Sequence, residues 1–536
     1  MPFNYKSPGV YVEEVDKGAR PIEAAGTSVL ALIGFCRETI QVEKPGGGMA
    51  SVPTPTRPTL ITNWSQFVNT YGDFDQAVPG GYLHQAMFGY FLNGGTAAYV
   101  VGLPLPIKAP AGPQAPQLPP GEAFLLNAGG QRIVRLATTE ALKPGEQITV
   151  EVAPPAGGAP ENTFNLTVKR AGAEPIVVPN VTLAKGKGQR NIVDVLTKET
   201  GNLLMAEMLA GADMPAAGSV TLTPMAAAPK PTLALEVKQK ATLELAKGDA
   251  AARSGMAGLE AIDEITLVAF PDVMAAYEWG VFNEEQVKAA QTYILNHCEA
   301  MKDRFAILDC PAGMSVQDMI GWRKDRMNFD SKYGALYYPW IKVNGKLVPP
   351  SGHVAGVYAR VDAERGVHKA PANEIVRGAI GLEINVSRNE QDMLNPIGVN
   401  CIRSFPGRGI RIWGARTLSS DPQWRYINVR RLFSNVEESI LQGTNWIVFE
   451  PNDQILWRQI KRDITAFLTV VWRAGALFGK VPEEAFFVKC DEETNPKELR
   501  DLGYCVIEVG MAPVKPAEFV VFRISQKQDG AGAASE

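Results

Sequence analysis

The segment EITLVAFPDVMAAYEWGVFNEEQVKAAQTYILNHCEAMKDRFAILDCP, residues 264–311, holds the pattern on which the fold turns. It opens with the apolar run EITLVAF, closed by Pro271-Asp272. A run that short, stopped by a turn signal, reads as a strand. In EEQVKAAQTYILNHCEAMKD, Val287, Ala290, Ile294 and Cys298 recur at helical spacing. RFAILDCP is then a second apolar run. Strand, helix and strand in succession, with strands apolar on both faces, predict a mostly parallel sheet covered on each side by helices. The pattern continues outward. SVQDMIGWRKDRM (315–327) reads as a helix and ALYYPWIKV (335–343) as a strand; upstream, TSVLALIGF (27–35) and TAAYVVG (96–102) are buried-strand runs, the second directly after the helical stretch YLHQAMFGYFLNGG.

The middle of the chain differs from its flanks. Seven prolines fall between Pro104 and Pro120, which rules out a helix there. From Leu103 to Gly258 the only aromatics are Phe124 and Phe164, although the chain holds 21 Phe, 14 Tyr and 9 Trp. QRIVRLA (131–137), QITVEVA (147–153), TFNLTVK (163–169), SVTLT (219–223) and TLALEVK (232–238) alternate as strands do, and NIVDVLTKET (191–200) and LLMAEMLA (203–210) read as short helices. These features describe a β-rich domain inserted into a larger fold.

The last part has a third character. VRRLFSNVEESILQ (429–442) is an amphipathic helix that Gly443 is placed to end. A longer helix, from about 452 to 476, carries the polar stripe Arg458, Lys461, Arg462, Thr465, Thr469 and Arg473. FFVKC, YCVIEVGMAP and FVVFRI read as strands. At roughly 150 residues per domain, 536 residues accommodate three or four domains. The fold class is α/β (mixed α+β), multidomain. The expected divisions are 1–25, an N-terminal arm; 26–102 and 258–385, two parts of the α/β layer; 103–257, the insertion; and 386–536, a C-terminal unit.

Composition excludes several functions. Lys+Arg is 53 against Asp+Glu 57, a net charge of −4, so the basic excess of a general nucleic-acid binder or polybasic membrane protein is missing. Six cysteines form no C-x-x-C pair, and four histidines no H-E-x-x-H, so neither a disulfide framework nor a metal site is expected. MPFNYKSPG does not begin like a signal peptide, and no apolar run reaches the roughly 18 residues of a membrane span. The expectation is a soluble protein made in the cytoplasm with reduced thiols. Phosphate-loop, dinucleotide and nucleophile-elbow motifs are missing. In LDCPAGMS (308–315), Cys310 stands where an α/β enzyme would hold a nucleophile; with no base nearby, it reads as a small apolar residue closing a strand. His353 and His368 read as surface or capping residues, and His297–Cys298 as packing. The arginines of IRSFPGRGIRIWGAR (402–416) suit an anion or, more often, carboxylates across a subunit contact. No catalytic residue and no cofactor is expected.

Taken in order, SPGVYVEEV (7–15), TSVLALIGF, LNGGTAAYVVG (92–102), ALYYPWIKV with PPSGHVAGVYARVDAERGVHKAPANE (349–374), LNPIGVNCIRSFPGRGIRIWGARTLSSDPQWRYINVRRL (394–432) and GALFGKVPEEAFFVKCD (475–491) resemble the tail sheath proteins of contractile phage tails and contractile injection systems. The match covers both flanks and skips the insertion. It implies a structural, non-enzymatic subunit: a homo-oligomer of stacked hexameric rings around an inner tube protein, meeting baseplate and terminal cap proteins, with no direct nucleic-acid contact and no membrane insertion. The particle would be a phage tail or phage-tail-like particle, cytoplasmic or released on lysis. The alternative is a cytosolic α/β enzyme with a decorative inserted domain.

Two features gain meaning from this resemblance. The N-terminal strand with Val10, Tyr11, Val12 and Val15, and the C-terminal strand with Phe519, Val520, Val521, Phe522 and Ile524, are apolar arms that could complete sheets in neighbouring subunits, as sheath arms do; they could also pair within their own chain. In the family a helix of the C-terminal domain touches the tube. The candidates here are Arg458, Lys461 and Arg462 on the long helix, and Arg430 and Arg431 on the shorter one. The long helix's stripe could equally be a solvated face or pair with a neighbouring subunit. The inserted domain would face outward.

Overall fold

A nine-stranded sheet runs through the chain in the order Glu374–Ile375, Gly409–Ile412, Val399–Phe405, Gly334–Tyr338, Phe305–Asp309, Leu267–Ala269, Leu30–Arg37, Ala98–Leu105, Thr59–Ile61. The computed structural model describes residues 22–43, 49–107, 122–127, 132–138, 147–155, 162–170, 173–184, 190–201, 203–208, 214–222 and 234–521. From Val399–Phe405 to Ala98–Leu105 every pairing is parallel. Antiparallel strands close both edges. Successive residues of Leu30–Arg37 explain the continuous apolar runs. Leu30 and Leu32 pack into one apolar cluster, Ala31, Ile33 and Phe35 into another on the opposite face, and all five are fully buried. The decisive segment folds as read, with Leu267–Ala269 and Phe305–Asp309 joined through Glu284–Met301, whose start is fixed by an Asn283–Gln286 capping box.

One face of the sheet is covered by the helices Leu83–Asn93 and Ser351–Arg365, which cross closely because glycine lines the contact. A Cβ on Gly352 would stand 2.4 Å from Ala86 Cα, and one on Gly356 2.4 Å from Tyr90 O. A Cβ on Gly89 would stand 2.2 Å from Nδ1 of His353. This places His353 in the core, not on the surface as expected. Neither ring nitrogen has a hydrogen-bond partner, and burial pulls its pKa down to about 4, so the ring is neutral.

The insertion holds its own apolar cluster between a four-stranded sheet (Ile176–Val181, Phe164–Arg170, Ile148–Ala153, Gly218–Leu222) and a three-stranded one (Leu204–Met208, Arg132–Thr138, Glu122–Leu126). Two expectations fail here. The stretch 203–210, read as helix, is the strand Leu204–Met208; Leu204 and Ala206 point inward and Met205 outward, a period of two that the long apolar side chains masked. The stretch 232–238, read as strand, overlaps the helix Leu235–Lys240. Its Val237 packs with Ala241, Ala246 and Met256 against the central sheet's cluster, and Lys238 Nζ donates to Trp279 O at 2.8 Å. The chain has therefore rejoined the α/β layer by 234 rather than 258.

The division expected at 385/386 likewise falls inside the sheet, since Val399–Phe405 and Gly409–Ile412 are two of its strands. The C-terminal layer begins with Ile427–Thr444, whose Leu432 and Val436 share one apolar cluster with Leu456, Trp457, Ile460, Ile464, Phe467 and Leu468 of Gln454–Arg473. Asp453 caps the second helix by accepting from the backbone N–H groups of Ile455 and Leu456. Gly443 does not end the first helix but lies inside it. A Cβ there would stand 2.7 Å from Ile22, so the glycine makes room for the N-terminal segment.

Candidate assembly surface

Both ends of the described chain make contact with the first C-terminal helix. At the N-terminal side, Ala25 N donates to Ser439 Oγ (2.9 Å), Asn435 Nδ2 to Ala25 O (2.8 Å), and Arg431 Nη2 to Thr27 O (2.7 Å). Val10, Tyr11, Val12 and Val15 lie outside the described residues. At the C-terminal side, Val514 N donates to Ala476 O (3.1 Å) and Asn428 Nδ2 to Val514 O (3.2 Å). Four residues on, the Glu518 carboxylate accepts from Arg416 Nε (2.9 Å) and Nη2 (2.7 Å), Asn395 Nδ2 (2.6 Å) and Tyr426 OH (3.0 Å). Burial alone would raise its pKa; these donors outweigh burial and hold it below the usual range. Arg416, one of the arginines expected to take an anion or a carboxylate across a subunit contact, is paired with a carboxylate of its own chain.

Beyond Glu518 the character changes at once. Phe519, Val520 and Val521 are 75%, 70% and 78% exposed and pair with no strand among the described residues. Phe522 and Ile524 lie outside them. Elsewhere in the C-terminal layer, Phe486–Lys489 pairs antiparallel with Glu508–Met511 in a sheet of only these two strands. Its Phe486 and Val488 pack in the apolar cluster of this layer, and the chain after Met511 is bridged to Leu477 through Pro513, while the two strands themselves pair with no third strand among the described residues.

The helix Gln454–Arg473 buries Leu456, Trp457, Ile460, Ile464, Phe467 and Leu468. Its opposite face brings Arg458, Lys461 and Arg462 together in solvent, as the spacing predicted, beside exposed Ile455 and Val470. Arg462 Nε lies 3.2 Å from Asp463 Oδ1. Arg430 and Arg431 are not on any such surface. Arg430 is buried between the rings of Trp424 (4.5 Å) and Tyr333 (4.9 Å) and donates to Glu437 Oε2 at 2.9 Å. Arg431 is buried against Asp362 (2.5 Å) and over the Tyr358 ring (4.9 Å). Their helix turns this face toward the α/β layer, so neither is available at the surface of the chain, contrary to the expectation. The surrounding aromatics were the one sequence signal for this. Cys310 is fully buried, its Sγ–H directed at Tyr337 O (3.7 Å), and burial pushes the thiol well above its ordinary range, the condition of a packing residue. No helix among the described residues is long and apolar enough to cross a membrane.

Comparison with known proteins places two family models end to end on this framework: the phage tail sheath protein central domain over residues 251–418 and the phage tail sheath C-terminal domain over 419–527. The tail sheath protein of Vibrio phage KVP40 is 28% identical over 235 residues, 40% of this chain and 34% of that protein. The chain's matches span 34% to 57% of the length of the first curated relatives. Among solved structures, the sheath complex of PVC, an extracellular contractile injection system, in its contracted state superposes with a TM-score of 0.56 at 22% identity, over 98% of this chain and 99% of that one. The contracted helical sheath of the anti-feeding prophage gives 0.57 at 24%, over 98% and 100%. At these identities the likeness is one of fold.

Proposed function

We propose, for a chain that belongs to the phage tail sheath family, that it is a structural subunit of a contractile sleeve and not an enzyme. Copies stack as hexameric rings around an inner tube protein, meet baseplate and terminal cap proteins at the ends, and shorten to drive the tube through a target envelope. The particle is a phage tail or a tail-like injection device assembled in the cytoplasm. The observation that carries this is the pair of consecutive sheath domains, which together span the later strands of the central sheet and the C-terminal layer. The arms support it: the apolar residues Phe519–Val521 are exposed, and the C-terminal layer holds a sheet of only two strands, the kinds of partner that strand addition joins. Val10, Tyr11, Val12 and Val15 are the N-terminal strand donor, and Phe519–Val521 with Phe522 and Ile524 the C-terminal one. Arg458, Lys461 and Arg462 face the tube, where exposed ion pairs, each worth about 0–1 kcal/mol, hold register yet release ring by ring. The insertion faces outward, since on the inner side it would block the tube. Negative-stain microscopy of the purified protein tests the proposal. Long hollow tubes are expected, and their loss when Phe519–Glu536 is deleted; a small closed oligomer of uniform size would overturn it.

A further inference from the structure

The carboxylate of Glu518 is held from three separate elements. Asn395 opens the short helical turn before Val399–Phe405, Arg416 follows Gly409–Ile412, and Tyr426 stands at the start of Ile427–Thr444. The first two belong to the central sheet's framework and the third to the C-terminal layer. Both carboxylate oxygens accept two hydrogen bonds each, and Arg416 grips them in two-pronged fashion. Arg416 is itself fixed in advance. Buried Asn400 accepts from Arg416 N at 2.7 Å and donates to Arg416 O at 2.8 Å, and Arg416 Nη1 reaches Asn395 O at 3.3 Å. A prearranged, charge-assisted site of this kind, placed one residue before three exposed apolar side chains, is more than a chain end needs in order to stop.

We propose that Glu518 is the fixed root of the C-terminal arm: it locks the stem to the junction of the two layers and so sets the point and direction from which the following residues reach a neighbouring copy. This rests on the arm being a strand donor. The size of the effect follows from the chain. Among the described residues the next hydrogen bonds back along the stem are those at Val514. Releasing Glu518 therefore frees residues 515–518, and at about 3.5 Å per extended residue the root gains up to about 14 Å of slack. A tether lengthened in this way lowers the local concentration of the strand at its acceptor and lets it reach wrong neighbours.

Three variants of the full chain test the inference, read by counting ordered tubes in negative stain alongside thermal melting. Deleting Phe519–Glu536 with Glu518 kept should abolish ordered tubes. Glu518→Ala, with the arm present, should melt nearly as the parent does yet give about tenfold fewer ordered tubes, with irregular polymers in their place. Inserting Gly-Ser-Gly-Ser directly after Glu518 keeps the clamp but restores the slack, and should reproduce the Glu518→Ala defect even if that substitution disturbs folding. If the deletion abolishes tubes while both other variants build regular sheaths, the arm is a donor but Glu518 is not its root, and the inference falls. If the deletion variant itself builds regular sheaths, the arm is not a donor and the inference falls with it.

Discussion

Replacing Asp362 with Ala would strand the Arg431 guanidinium in the interior. The two side chains are only 4% and 2% exposed, and both terminal nitrogens of Arg431 are engaged: Nη1 donates to Asp362 Oδ1 at 2.9 Å, and Nη2 donates to Oδ2 and to Thr27 O. Removing one partner of a buried pair costs about 3–5 kcal/mol, because the remaining charge has lost its compensation. A cavity of about 330 Å³ lined by Ala25, Thr27, Arg431 and Glu438 lies alongside, so water can approach and the loss should fall near the lower figure. The double variant Arg431→Met with Asp362→Leu removes both charges and should recover most of it, since an apolar pair of similar volume is commonly neutral or better. Denaturant unfolding of the full chain followed by tryptophan fluorescence gives both numbers. A loss below about 1 kcal/mol for Asp362→Ala, or a double variant worse than the single, would refute the pairing as a structural bond. The double variant should also still form the extended, tube-filled particles proposed above, because Arg431 is buried within its own chain.

Four other outcomes follow from the same framework. The reversal Lys461→Glu with Arg462→Glu should abolish extended particles while contracted sheaths persist in micrographs; normal extended particles would remove this helix from the tube contact. Replacing residues 108–233 with a short Gly/Ser linker should preserve assembly, whereas a deletion running to Met256 should yield insoluble protein, because it strips Val237, Ala241, Ala246 and Met256 from the core. Gly352→Ala should cost about 1–3 kcal/mol in denaturant unfolding, as its Cβ would meet the Ala86 backbone. Burial raises the Asp309 pKa to about 7, only partly offset by its Ser351 bonds. That is above its unfolded value of about 3.9. The folded state thus binds the proton more tightly, and the stability linked to this group is full below about pH 4 and is lost as pH rises toward 7. Asp309→Asn should flatten melting temperature against pH across that window.

The central sheet was legible because strands buried on both faces leave nearly continuous apolar runs, and these survive without knowledge of their partners. TSVLALIGF and RFAILDCP carry that mark, and both are core strands. The insertion was half legible. Alternation marked Ile148–Ala153 and Phe164–Arg170, but LLMAEMLA and TLALEVK have helix-forming and strand-forming residues in either period, and pairing decided between them. Layer boundaries were missed because nothing in the composition changes where a sheet takes two more strands. At the assembly surface, the stripe on Gln454–Arg473 followed from spacing alone. Arg430 and Arg431 were misplaced because a buried arginine looks like an exposed one until its Asp362 or Trp424 is known. Glu518 and Arg416, 102 residues apart, left no local trace of their bond.

The most direct test of the central claim is a cryo-microscopy reconstruction of the assembled particle. The expected result is rings of six copies around a filled lumen, with Arg458, Lys461 and Arg462 facing the tube, residues 122–222 on the outer surface, and the strand after Glu518 added to the Phe486–Lys489 and Glu508–Met511 sheet of another copy. A closed assembly without a lumen, or a sleeve whose inner wall is the inserted domain, would contradict it.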